Sequence, residues 1–194
     1  MFLLFYRPEP LAVRKELEVK SELHKVKRIT GKQVEAEALR LGDSLVLAAD
    51  SLLLVRLAAA LSQGGGKAAL AQYPPQKYSE IQAATQRYGA TLTRQRLGTQ
   101  KAANPAGQVK NVGQTQLFYT RPIFITNALC LRCHGTLGTD VSGPDLAVLK
   151  EAYPNFNLTG YKAGDQIGNW QINFSRSAIL HKLSLKSRKS LRPL

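Results

Sequence analysis

The chain has 194 residues, 44% hydrophobic and 21% charged, with 27 Lys and Arg against 13 Asp and Glu for a net charge of +14. That length suits one domain with a sizeable core plus appendages, and the composition excludes a wholly disordered or collagen-like chain. Two cysteines are too few for a disulfide scaffold, and Met1 is the sole methionine, so no internal thioether exists for packing or metal ligation.

The positive charge is unevenly placed. Residues 1–60 carry ten basic and eight acidic side chains, residues 61–129 carry eight basic against Glu80 alone, and residues 176–194 carry six basic and none acidic. Lys186, Arg188, Lys189 and Arg192 have no interleaved aromatics and read as a solvated end, with attraction to an anionic membrane surface or nucleic acid as the other reading. No specific nucleic-acid partner is expected.

The opening MFLLFYRPEP has an apolar start that Arg7 and two prolines end at once, which is short for a secretory signal. From 19 to 61 the pattern is helical, with Ala36, Leu39, Leu45, Leu47, Leu52 and Leu57 among charged residues. Asp43, Asp50 and Arg56 interrupt its apolar part, which argues against a membrane helix. Gln63 and three glycines should stop it, and a second helix is expected from Lys67, disturbed at Pro74 and Pro75 and resumed over 78–88 with Gly89 as its cap. Residues 90–97 alternate as a strand, 104–107 form a turn or loop, and 117–124 form an aromatic-rich strand that Pro122 places at an edge or bulge. A short helix is expected over 145–153, turn chemistry over 164–168, and a terminal strand over 170–174. Helices followed by a small antiparallel sheet give an α+β class.

Both cysteines fall in Cys130-Leu131-Arg132-Cys133-His134. Chance would produce this arrangement in roughly one chain in several thousand of this composition, so accident is a poor explanation. Two thiols three residues apart reach the two vinyl groups of a haem, and the adjacent imidazole then lies under the iron. Covalent haem c on Cys130 and Cys133, ligated by His134, is the reading this favours. The alternatives are a non-haem Cys-X-X-Cys redox pair, for which no βαβ unit is evident, and a zinc site, for which His24 or His181 would have to supply further ligands. With no methionine after His134, a His/Met cytochrome is excluded. The second axial position is left to His24, His181, a tyrosine, a lysine or an open site.

Over 36–174, about seven tenths of the chain, the sequence resembles a family of single-haem c-type proteins with a PAS-like sheet, typified by a cyanobacterial cytochrome. The carrying segments are GGGKAALAQY at 64–73, KAANPAG at 101–107, YTRPI at 119–123, CLRCHG at 130–135, and AYP followed by LTGYKAGDQIGNW up to Trp170. The resemblance implies a helical N-terminal arm leading into a PAS-like antiparallel sheet that holds one covalent haem, in an extracytoplasmic, periplasmic protein. It divides the chain into an extension over 1–35, the haem domain over 36–175 and a basic tail over 176–194. A cysteine that can serve the family as second axial ligand aligns with Tyr73, which implies Tyr73 as a candidate iron ligand or as packing beside the haem. The arginine that usually precedes Asn-Pro is Ala103 here, leaving Arg121 as a candidate partner for a haem propionate. The resulting expectation is a non-enzymatic haem protein that transfers single electrons, or senses redox state or a diatomic ligand, with a redox partner protein or that ligand as its counterpart.

Overall fold

The structure is a computed structural model that describes residues 29–96, 104–155 and 159–190, the last five without their side chains. His24, Ala103 and Arg192 lie outside the described residues.

The long helix α1 spans Gly31–Ala71. Thr30 begins it with a capping box: its hydroxyl accepts from the Gln33 N–H at 3.3 Å while the Gln33 side chain accepts from the Thr30 N–H at 2.9 Å. Thr30 itself is extended, so the helix starts at Gly31 rather than running continuously from residue 19. Its buried positions Val34, Ala38, Leu41, Leu45, Ala49 and Leu53 recur every three or four residues and form one stripe. The expected stop at the glycines is a break within the helix. Gly64 leaves helical geometry and Gly65 takes φ +60°, after which the chain turns into a second short limb.

After α1 come a single 3-10 turn at Pro75–Lys77 and helix α2 at Ser79–Gln86. Strands β1 (Ala90–Arg96), β2 (Gln108–Val112) and β3 (Gln116–Phe124) follow, then α3 (Ala128–His134), α4 (Gly143–Ala152), β4 (Gln166–Ser175) and α5 (Arg176–Ser190). The four strands form one antiparallel sheet in the order β1-β4-β3-β2. The class is α+β, with the helical arm and antiparallel sheet both present.

The inner face of the sheet is built in cross-strand rows. Leu92, Ile172 and Tyr119 make one row, and Arg94, Trp170 and Arg121 make the next. Trp170, Ile172, Leu117 and Tyr119 have no exposed surface, and they pack with the stripe of α1 into a single core. Gly42 permits the closest approach, since a Cβ there would sit 2.3 Å from the Tyr119 ring.

Further features depart from the sequence reading, among them the start of β4 at Gln166, inside the expected turn. Strand β2 was not anticipated; it is an exposed edge in which only Val109 is half-buried. Pro122 lies in an inner strand, but β2 pairs with β3 only as far as Thr120, so the proline falls where β3 has lost its second neighbour and just before a register shift at Ile123 and Phe124. The segment from Arg176 is not simply a solvated tail, because α5 buries Ile179 completely and packs Leu180 and Leu183 against the core.

By length and composition α1 is apolar enough to cross a membrane, with a window of mean hydropathy 1.9, of which 28% is buried inside the protein. Interruption by charge was expected to argue against that. The charges are instead tied to the fold: Asp50 accepts from Trp170, and Arg56 pairs with Glu80 at 2.7 Å while lying over the Tyr78 ring.

Candidate functional site

The motif residues Cys130, Cys133 and His134 all lie on α3, at spacings of three and four that put them on one face of the helix. Asn127 caps its start by accepting from the Leu129 N–H at 2.9 Å. At the other end the chain returns to hold the motif: Tyr161 N–H donates to the His134 carbonyl at 2.9 Å and Gly160 N–H to that of Gly135 at 2.8 Å. The Tyr161 ring meets the His134 imidazole edge-on, with centroids 6.4 Å apart.

A carboxylate fixes α3 against the other helices. Asp145, in the first turn of α4, accepts from Arg132 at 3.1 Å and from the Gly66 N–H at 2.9 Å, just past the break in α1. A Cβ on Gly66 would lie 2.4 Å from that same carboxylate oxygen, so the contact requires glycine. Burial works to raise the Asp145 pKa, but hydrogen bonds from Ser142, Arg132 and Gly66 outweigh it and leave it below the ordinary carboxylate value.

Cys130, Cys133 and His134 line a cavity of about 740 Å³, within the range of small-molecule and cofactor sites. Leu47, Leu54 and Leu57 of α1 form one apolar wall, and Leu149 and Tyr153 of α4 another. Leu47 is 64% exposed, a large apolar side chain left uncovered at the cavity. Tyr73 and Arg121 line the same space, so all five residues singled out in the sequence are brought to one place. His181 is not among the lining residues; it lies exposed on α5.

Arg121 has a partner within the protein. Its guanidinium donates to Asp43 at 3.2 Å, and the same carboxylate oxygen accepts from the Tyr119 hydroxyl at 2.7 Å. Burial, with Asp43 as acceptor, drives the Tyr119 pKa far up and keeps it a neutral donor. Several cavity residues were not identified as site residues from the sequence, the charged Asp50, Arg94 and Arg96 among them. Asp50 was taken only as an interruption of an apolar stretch, and Arg94 only as part of a strand. The signal for Arg94 was its place on the inward phase of ATLTRQR, in register with Leu92.

Both cysteines are free thiols, and burial raises the pKa of each; Asp145 adds to the rise at Cys133. A nucleophilic redox cysteine needs the reverse shift, and the antiparallel sheet offers no βαβ junction. Among the described residues no group of three or more His, Cys, Asp and Glu side chains is placed to hold a metal ion, so they do not supply a structural zinc set.

A model of the Tll0287-like family matches residues 67–175, more than half of the chain. The chain belongs to the Tll0287-like family. The matched stretch of this Tll0287-like chain runs from the short limb of α1 through β4, and so contains the motif helix, Tyr73, Arg94 and Arg121. No curated protein matches it. Among solved structures it is similar to the cyanobacterial haem protein Tll0287, at 14% identity over 87% of this chain and 97% of that one, with a TM-score of 0.33.

Proposed function

We propose that this Tll0287-like chain is a c-type haem protein, its haem attached through Cys130 and Cys133 and ligated by His134, with a redox or ligand-sensing rather than enzymatic role. The observation that carries the reading is the placement of all three side chains on one face of α3, in the wall of a single largely apolar cavity of about 740 Å³. Thiols at that spacing beside an imidazole match the requirements of the attachment motif, and raised thiol pKa values argue against a redox-active thiolate. The family takes its name from Tll0287, a protein described as a haem protein, which supports the same reading.

Bound there, haem supplies a one-electron iron centre. The chain's own residues hold and enclose it. His134, steadied by Tyr161 and by the backbone bond to its carbonyl, would hold the iron through its imidazole, and Tyr73, which lines the same cavity, would be the candidate for a second ligand. Leu47, Leu54 and Leu57 would supply its apolar contacts on the α1 side. Because haem is attached to this motif outside the bacterial cytoplasm, the proposal includes an extracytoplasmic location, and a redox partner protein or a diatomic ligand as counterpart.

The test is to mature the protein in a host with haem-attachment machinery and record its pyridine haemochrome after extraction of free haem. A c-type spectrum at one haem per chain is expected, lost in the Cys130→Ser, Cys133→Ser double variant. A colourless protein that binds zinc instead would sink the reading. Tyr73→Phe is expected to alter the oxidised spectrum; an unchanged one removes Tyr73 from the ligand set and leaves the haem in place. Carbon monoxide binding to the reduced protein then reports whether the iron has an open or weakly held position.

A further inference from the structure

Asp50 supplies the sole carboxylate among the described residues that line the cavity. It projects from α1 onto the row formed by Arg94 of β1, Trp170 of β4 and Arg121 of β3, whose central members pair residue for residue across the sheet. The Trp170 Nε1–H donates to both carboxylate oxygens, at 3.1 and 3.3 Å, and Trp170 has no exposed surface. The Arg94 guanidinium stacks over the Trp170 ring at 4.9 Å and over the Tyr73 ring at 5.3 Å. One anion therefore stands on a buried indole between two cations, in a space shared with Cys130 and His134.

We propose that Asp50 is a proton-binding site coupled to the redox state of the group held in the cavity, taking up one proton from solvent when that group takes up one electron from a one-electron donor. The inference rests on the haem reading. The coupling is electrostatic: an electron added to the iron places negative charge in a poorly solvated cavity, which disfavours a second negative charge on Asp50, and protonation relieves it. The facing groups set how much is relieved. Arg94 and Arg121 favour the carboxylate, but Arg121 is already shared with Asp43, and Arg96 of β1 lines the same cavity; from α3, Cys130 would add no charge as a thioether and His134 would be bound to the iron; Tyr73 stands beyond Arg94. Burial already holds the Asp50 pKa above the ordinary carboxylate value, against the lowering effects of Arg94, the Trp170 hydrogen bond and Arg121. The proton equilibrium is thus displaced upward from the ordinary carboxylate range.

The test is a spectroelectrochemical titration of the haem-loaded protein from about pH 4 to about pH 9, covering carboxylate pKa values raised above the ordinary Asp value. As pH rises through the Asp50 window the reduced-to-oxidised ratio at fixed applied potential is expected to fall by up to tenfold per pH unit, about 59 mV for one electron. Asp50→Asn keeps an oxygen for Trp170 but cannot ionise. Its potential should match the parent's at acid pH, where Asp50 is neutral, and lie above it at alkaline pH. Parallel curves for parent and variant would overturn the proposal while leaving the haem reading intact. A parent protein with no c-type haemochrome overturns both. If Asp50→Asn does not fold, Arg94→Gln retains Asp50 and removes one cation; the sloping window should then move to higher pH, and an unmoved window overturns the proposal.

Discussion

Asp145 joins the backbone of Gly66, the side chain of Arg132 and the first turn of its own helix, so a single carboxylate sets where the motif helix sits relative to the break in α1. Its pKa is depressed in the fold, so by linkage it stabilises the folded state above the unfolded pKa of about 3.9, and that contribution is lost as pH falls through the lower folded value. Asp145→Asn should therefore destabilise the protein by about 1.5–3 kcal/mol near neutral pH, the range for hydrogen bonds to a charged group. Urea titrations at several pH values check this: the gap between parent and variant should close in acid, and a gap independent of pH would show that the charge is irrelevant. Gly42 makes the opposite kind of demand, for empty space. Gly42→Ala forces a methyl into the Tyr119 ring at 2.3 Å and should cost about 1–3 kcal/mol by overpacking, read as a lower denaturation midpoint.

Helix α1 works as two limbs because Gly65 adopts φ +60° and ψ −152°, a region open essentially to glycine alone that costs an L-residue with a side chain about 1–3 kcal/mol. Gly65→Ala is expected to lose about that much stability and to disturb the limb that presents Tyr73 and Gly66, so its oxidised haem spectrum should broaden or shift; an unperturbed spectrum would mean the bend does not matter to the site. The break was legible in the sequence because three successive glycines are poor helix formers and take positive φ without steric cost. The start of α1 was not, since Thr30 and Gln33 are one capping box among several polar residues in a charged stretch. Strand β2 escaped notice for a related reason: five residues with one half-buried side chain carry almost no alternation, and its pairing with β3 is decided by the sheet rather than by its own pattern. The attachment motif was plain, but its seven-residue helix was not, because two cysteines and a histidine carry no helical periodicity. Arg94 and Asp50 stayed hidden because each sits at an inward phase where a sequence pattern expects apolar residues, and only the Trp170 between them shows why the charges are tolerated.

At the scale of the whole molecule, one sheet face serves two purposes. Its rows toward Phe174 are covered by α1 and closed by α5, while the rows containing Trp170 and Gly168 open into the cavity. The closure by α5 has polar contacts as well as apolar ones: Glu37 of α1, only 6% exposed, lies 2.7 Å from Arg40 and 3.4 Å from Lys182, and the Lys182 ammonium lies over the Tyr88 ring at 4.2 Å. Ile179 is the fully buried apolar anchor of that helix, and it is absent from the cavity wall. Core stability and cofactor environment should therefore be separable. Ile179→Ala removes three methyl or methylene groups from a packed core and is expected to destabilise the protein by about 2–5 kcal/mol. Because none of the described cavity-lining residues belongs to α5, the haem spectrum and midpoint potential of that variant should match the parent's under conditions where both are folded. Chemical denaturation monitored by tryptophan fluorescence measures the first effect and spectroelectrochemistry the second. A shifted potential with unchanged stability would reverse the assignment, making α5 part of the site's environment rather than the closure of its core.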